Sequence, residues 1–432
     1  MNAKIFEYNQ EFALESGVQL DDLKIAYHTY GQLNDDKSNV VWVFHALSAN
    51  SAVLEWWPGL FGDYDLFTPK EHFIICANVL GSPYGSTAPE SLSFPQFTVR
   101  DVVKAQLLLA EELNIEKISL AIGGSFGGSQ ALEFAYSYTG SIDNMVLIAC
   151  AARETAWGIA IHEAQRMALQ ADQTFGEKDG GKKGIKAARA LGVLTYRTVD
   201  ALVSQQTDED DRVDDFKASS YIQYQGTKFE RRFNALSYFY LSKCLDTHNL
   251  GRSRGGDEDA LSSIATRTLV IGIDSDQLIP NYLQKFIASN MLNAHYKKIA
   301  SDYGHDGFLI ETEKITAVIK NFIDENHVKS INVFELKEIQ ENNENIQLID
   351  VREAFELEIS SIGGLHIPIS DIPNQLNKIA ADKKVVVYCR SGRRSALAIK
   401  HLQEVTGNKN LYNLEGGILD WADKIDNNME LY

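Results

Sequence analysis

Short apolar runs recur along the first three quarters of the chain: NVVWVFHAL (39–47), HFIICANVLG (72–81), KISLAIGGS (117–125), NMVLIACAA (144–152), TRTLVIGIDSD (266–276) and AHYKKIASDYGHD (294–306). Most are apolar or β-branched almost throughout rather than alternating, the pattern of strands buried on both faces. Between them VRDVVKAQLLLAEELNI (99–115) and ITAVIKNFIDEN (315–326) carry the period of amphipathic helices. Strands alternating with helices predict a mostly parallel α/β sheet. The interval 153–265 is far longer and holds only helical patterns (HEAQRMALQAD, GIKAARALGVLTY, RFNALSYFYLSKCLD), which reads as a lid over the carboxyl edge of the sheet. A second, smaller α/β pattern runs through IQLIDVRE (346–353), KKVVVYCRSGRRSALAIKHLQE (383–404) and NLYNLEGGILDW (410–421). The expected domains are therefore 1–328, with the lid at 153–265, and 332–432.

Composition narrows the function classes. A net charge of −18 argues against nucleic acid or an anionic membrane face as partner, so an anionic substrate would need a local basic site. No apolar run approaches the ~18–20 residues of a membrane span. The opening MNAKIFEYNQEF has neither the basic nor the apolar part of a secretory signal, and four cysteines make no disulfide framework. A cytoplasmic location is expected. The acidic runs DEDDRVDD (208–215) and SRGGDED (253–259) read as solvated loops rather than metal sites, and no metal is expected.

Gly123-Gly124-Ser125-Phe126-Gly127 fits G-x-S-x-G, directly after the strand KISLAI and before the helix SQALEFAYSY. A sharp strand-to-helix turn lifts the serine above the sheet edge, and the helix N-terminus offers free N–H groups to a developing oxyanion. This predicts the α/β-hydrolase fold with Ser125 as nucleophile. A serine needs a base oriented by a carboxylate, in the chain order Ser, Asp/Glu, His. Asp276 ends the strand TLVIGIDSD, with Asp274 as a competitor; His305 follows the strand HYKKIA. The oxyanion donors are expected to be the backbone N–H of Phe126 and that of Leu47 or Ser48, with His45 shaping the loop.

In the second pattern Cys389-Arg390-Ser391-Gly392-Arg393-Arg394 lies between a strand and a helix. Arginines and backbone N–H groups wrapped around a cysteine under a helix N-terminus should lower its pKa.

These landmarks resemble known families. His45-Ala46-Leu47-Ser48, CANVLGSPYGSTAPES (76–91), GGSFGGSQALEFA (123–135), SDQLIP (275–280) and YGHDGFL (303–309) are similar to the homoserine O-acetyltransferase family over about residues 5–325. The resemblance implies ping-pong acyl transfer from an acyl-CoA, as co-substrate rather than bound cofactor, to L-homoserine, in methionine synthesis. It implies that Arg189 and Tyr196 hold the homoserine carboxylate, that Asp306 holds its amino group, and that the lid forms a homodimer. Ser48 and Phe126 stand where the family usually has Thr and Met, which leaves acetyl, propionyl and succinyl open as the acyl group. Serine stays open as acceptor, because one methylene is worth only ~1–3 kcal/mol in discrimination. An esterase with the same triad is the alternative reading. LIDVREAFE (348–356), HIPIS (366–370) and NLEGGILDW (413–421), with the cysteine loop, resemble a single-domain rhodanese. That resemblance implies a persulfide on Cys389 and a sulfur donor or acceptor as partner, or else a non-catalytic binding module. Acylated homoserine accepts sulfide in methionine synthesis, which gives such a fusion a metabolic rationale.

Overall fold

The computed structural model describes residues 2–324 and 328–431. The chain divides into two compact units, Met1–Lys320 and Asn321–Tyr432. The helix expected over 315–326 is described as Thr312–Asp324; residues 325–327 lie outside the described residues.

The larger unit is built on eight strands: β1 (Lys4–Tyr8), β2 (Leu23–Tyr30), β3 (Val40–Phe44), β4 (Phe73–Ala77), β5 (Lys117–Gly124), β6 (Ser141–Ile148), β7 (Arg267–Ile273) and β8 (Ala294–Ile299). Their order across the sheet is β1-β2-β4-β3-β5-β6-β7-β8. All neighbours from β4 to β8 are parallel, while β1 and β2 pair antiparallel with each other and β2 with β4. This is the α/β-hydrolase arrangement. Every residue of β3, VVWVF, is buried, because helices cover both faces of the central strands. On one side Trp42 and Phe44 pack against Phe134 of the helix Phe126–Ser137, with ring centroids 5.4 and 5.2 Å apart. The antiparallel strands β1 and β2 were absent from the sequence reading, since KIFEY and LKIAYHTY mix polar and apolar residues without a clean period.

Between β6 and β7 the chain forms six helices: Ala156–Gln170, Lys182–Tyr196, Val199–Gln206, Lys217–Glu230, Ala235–Asp246 and Asp257–Ser262. Three carry the helical patterns of the expected lid; Val199–Gln206, Lys217–Glu230 and Asp257–Ser262 are additional. The polar composition of KASSYIQYQGTKFE hides the second, and the third begins inside the acidic run 253–259 that was expected to be loop. In the first acidic run Arg212 pairs with Asp208 and Asp210 at 3.2 and 2.6 Å, so part of its charge is answered within the run itself.

The smaller unit holds a five-stranded parallel sheet: β9 (Ser330–Ile331), β10 (Ile346–Asp350), β11 (Leu365–His366), β12 (Lys384–Tyr388) and β13 (Leu411–Leu414), in the order β9-β13-β12-β10-β11. Alternation along β12 builds two cores. Val385 and Val387 face one with Ile399 and Leu402; Val386 and Tyr388 face the other with Leu336 and Trp421.

Candidate active site

Ser125 sits at the tip of β5 with φ 55° and ψ −124°, in the left-handed half of backbone space, and the helix Phe126–Ser137 begins at the next residue. A side chain is held there only where the surroundings enforce it. The enforcing contacts are backbone ones. A Cβ at Gly127 would strike the carbonyl of Phe44, and one at Gly123 the carbonyl of Gly127. Two glycines thus let the turn close against β3. As the first helical residue, Phe126 has a backbone N–H with no carbonyl four residues back to bond.

His305, in the one-turn helix Gly304–Asp306 after β8, places Nε2 2.8 Å from Ser125 Oγ. Its Nδ1 lies 2.7 Å from Asp276 Oδ2, and both side chains are buried. The other carboxylate oxygen, Oδ1, accepts from the N–H groups of Leu278 and Ile279, each at 2.9 Å, which fixes the plane of the group. An ionised carboxylate can only accept, so the imidazole hydrogen is assigned to Nδ1 and Nε2 is free to take the serine proton. Burial pulls the His305 pKa down. The charge of Asp276 and its hydrogen bond, reinforced by Asp306 and Glu154, outweigh that, and the net shift is upward. The competitor Asp274 points elsewhere: its Oδ1 accepts from the Ser301 N–H at 2.9 Å and braces the loop after β8.

The loop after β3 is held by residues of three other segments. His45 is fully buried, with Nδ1 2.8 Å from the Ala46 carbonyl and Nε2 accepting from the Val79 N–H at 3.1 Å. Burial lowers its pKa to about 4, so it is a neutral strut that shapes the loop, as expected. Gln130 donates to the carbonyls of His45 (3.0 Å) and Phe126 (3.2 Å), tying the loop to the nucleophile helix. Arg232 reaches from the lid to the Ser48 carbonyl at 2.6 Å. Neither Gln130 nor Arg232 was singled out from the sequence. Gln130 left a faint trace, a polar residue on an apolar helix four positions after Phe126; Arg232 acts on a residue 184 positions away and left none.

A cavity of about 460 Å³ opens above the serine and brings together Ser125, His305, Leu47, Ser48, Arg189, Tyr196 and Asp306. The Arg189 guanidinium lies 5.4 Å from the Tyr196 ring and 5.1 Å from that of Phe229, so two aromatic faces aim it. Asp306 is not a free carboxylate: Arg197 Nε lies 2.8 Å from its Oδ2. A second, smaller chamber of about 30 Å³ also touches Ser125 and is lined in part by Glu154 and His162. His162 Nδ1 lies 2.7 Å from Asp246 Oδ1, and burial raises the pKa of Glu154. Both residues were missed, being ordinary polar positions near the start of a lid helix.

In the smaller unit Cys389 follows β12 and is buried. Gly392 takes φ 84° and turns the loop into the helix Arg393–Thr406. Ser395 Oγ lies 3.4 Å from Cys389 Sγ and donates to Asn413 Oδ1 at 2.6 Å. The loop arginines are not equivalent. Arg394 is committed to Glu356 by two bonds of 2.5 and 2.6 Å, while Arg390, Ser391 and Arg393 are exposed. Arg352, fully buried, forks onto Asp350 at 2.6 to 3.0 Å.

Comparison with known proteins agrees with this geometry. Residues 39–312 match the family model of the alpha/beta hydrolase fold, and residues 333–424 that of the rhodanese-like domain. A homoserine O-acetyltransferase of Cyclobacterium marinum is 42% identical over 339 residues, covering 76% of this chain and 97% of that protein. That of Chlorobaculum parvum is 39% identical, covering 73% and 93%. The crystal structure of homoserine O-acetyltransferase from Staphylococcus aureus superposes with a TM-score of 0.66 at 28% identity, covering 76% of this chain and 96% of that one. Esterase E22, at 22% identity and a TM-score of 0.67, shares the fold. With an α/β-hydrolase sheet, a serine bonded to an aspartate-backed histidine and relatives of this identity over most of their length, the chain belongs to the homoserine O-acetyltransferase family and carries a rhodanese-like domain behind it.

Proposed function

We propose that the larger unit transfers an acetyl group from acetyl-CoA to the hydroxyl of L-homoserine through an acyl-Ser125 intermediate. The observation that carries this reading is the bonded chain Asp276–His305–Ser125 at a cavity that also presents Arg189, Tyr196 and Asp306. His305 takes the Ser125 proton as Oγ attacks the thioester carbonyl; the C–S bond breaks and the proton passes to the departing thiolate. In the second half His305 takes the proton of the homoserine hydroxyl as its oxygen attacks the acyl-enzyme; the acyl–Oγ bond breaks and His305 returns the proton to Ser125 Oγ. The N–H groups of Phe126 and of Leu47 or Ser48 hold the oxyanion in both halves. A guanidinium aimed by two rings suits a carboxylate, which it can grip bidentately. Asp306 takes the substrate ammonium while shared with Arg197, so its charge is partly spent before the substrate arrives. An esterase has no use for this amino-acid clamp.

In the smaller unit Cys389 thiolate would take the outer sulfur of a donor such as thiosulfate, leaving sulfite and a persulfide that a second nucleophile then collects. Trp157, Met167, Leu194, Val199 and Val203 are exposed apolar residues of the lid, which supports a homodimer formed there. Among the described residues no helix is long and apolar enough to cross a membrane, and we read the protein as cytoplasmic. Mass spectrometry of products from homoserine or serine with acetyl-, propionyl- and succinyl-CoA tests the transferase; appearance of the free acid alone refutes it in favour of hydrolysis. Thiosulfate and cyanide test the second site. No thiocyanate, and no mass gain on Cys389, removes the sulfurtransferase.

A further inference from the structure

Two cavities meet at Ser125. The larger is lined by His305 and Leu47; the smaller, about 30 Å³, touches Ser125 and Phe126 but neither His305 nor Leu47. An acyl carbon on Ser125 Oγ has three further directions to satisfy. Its oxygen turns to the N–H of Phe126 and the oxyanion loop. The departing thiolate, and later the arriving hydroxyl, must lie beside His305 Nε2 to exchange a proton, which puts them in the larger cavity. The carbon chain takes the direction that is left.

We propose that the smaller chamber is the acyl pocket and that Glu154 is the specificity-determining residue that limits it to an acetyl group; the inference rests on the acyl-Ser125 reading above. Ala151, Leu245, Leu278 and Ile279 supply its apolar wall, which suits a methyl group. By volume it holds about one or two water-sized groups, too few for the added methylene and carboxylate of a succinyl chain. Glu154 is poorly placed to yield. Its Oε1 accepts from the Thr155 N–H at 2.8 Å, and its own N–H donates to the His248 carbonyl at 2.9 Å. A Cβ at Gly158 would strike the same carboxyl, so the adjoining lid helix is already packed against it. An acyl chain ending in a carboxylate would meet a second carboxyl group in a confined, partly dry space.

The test uses the full chain without acceptor, so that only acylation is read. Thiol release in the burst is followed for acetyl-, propionyl-, butyryl- and succinyl-CoA, with the mass of the Ser125 peptide as confirmation. The wild type should lose roughly tenfold in acylation efficiency at propionyl and about a hundredfold or more at butyryl and succinyl. Glu154→Ala should raise the butyryl-to-acetyl ratio by roughly tenfold or more. Glu154→Gln, which keeps the shape, should hold that ratio within about twofold of wild type and raise succinyl relative to butyryl. If Glu154→Ala does not fold, the wild-type series and Glu154→Gln still decide. Butyryl accepted as well as acetyl by the wild type, or an unchanged ratio in Glu154→Ala, overturns the proposal. Acylation of Ser125 with the predicted chain-length limit but no O-acylhomoserine on adding homoserine would refute the acceptor reading and leave the pocket assigned. Butyryl delivered to homoserine as readily as acetyl would do the reverse.

Discussion

Replacing Asp276 by Asn is the sharpest test of the active site, because the surroundings dictate how the amide must sit. Oδ1 of Asp276 accepts from the Leu278 and Ile279 N–H groups, so the amide oxygen of the variant has to take that place. Its NH₂ is then turned toward His305 Nδ1, 2.7 Å away in the wild type. Two donors cannot face each other, and the imidazole moves its hydrogen to Nε2 to let Nδ1 accept. Nε2 then donates toward Ser125 Oγ and cannot take its proton. The expected loss is about 10⁴-fold in the acylation rate, or ~5.5 kcal/mol of transition-state stabilisation, with little change in fold. The pH profile gives a second reading. His305 works as a base only when neutral, and its raised pKa places the acid limb of the wild-type profile above the ordinary histidine range. Removing the Asp276 charge leaves burial as the dominant influence, so residual activity in Asp276→Asn should persist to lower pH. Stopped-flow thiol release from acetyl-CoA between pH 5 and 9 (roughly spanning the histidine range) measures both. A variant within about tenfold of wild type, or an acid limb that does not move, would refute the assigned tautomer and the role of Asp276.

Three further outcomes follow from contacts described above. Arg189→Ala should raise the homoserine KM by ~10–100-fold, the worth of a charged hydrogen-bonded contact, while the acylation burst persists; a lost burst would show the clamp assignment to be wrong. Gly127→Ala drives a methyl group into the Phe44 carbonyl, which is backbone and cannot step aside. It should cost about 3 kcal/mol and lower the melting temperature of the larger unit, and a neutral effect in calorimetry would mean that the turn is less tightly closed than described. Arg352→Ala strands the buried Asp350 carboxylate and should destabilise the smaller unit by about 3–5 kcal/mol, seen as faster hydrogen exchange in the 384–388 strand; unchanged protection would contradict the account of that ion pair.

What the sequence disclosed, and what it withheld, follows from the range of the forces involved. Ser125 and its glycines were legible because a strained turn makes local demands that only certain residues meet. Asp276 and His305 were legible as strand-end residues in a fixed chain order. Position favoured Asp276 over Asp274, and the choice is decided by which carboxylate faces His305 Nδ1: Asp276 does, while Asp274 is turned to the Ser301 N–H. Arg232, Glu154 and His162 could not be read at all, since their meaning comes from which distant wall they complete. The arginine-rich loop after Cys389 looked uniform as a string of letters. The position of Glu356, 38 residues from Arg394, is what commits that arginine to a carboxylate.

The backbone angle at Ser125 also restricts which nucleophiles evolution can try at that position. A φ of 55° is tolerable for a side chain with a single heavy atom beyond Cβ, and severe for one branched at Cβ. Cysteine could replace serine there with its reacting atom in nearly the same place. Threonine, which carries the same hydroxyl, would set its methyl against the turn that holds the hydroxyl up. The chemistry of the site is open to a change of element at the nucleophile, and closed to the addition of one carbon.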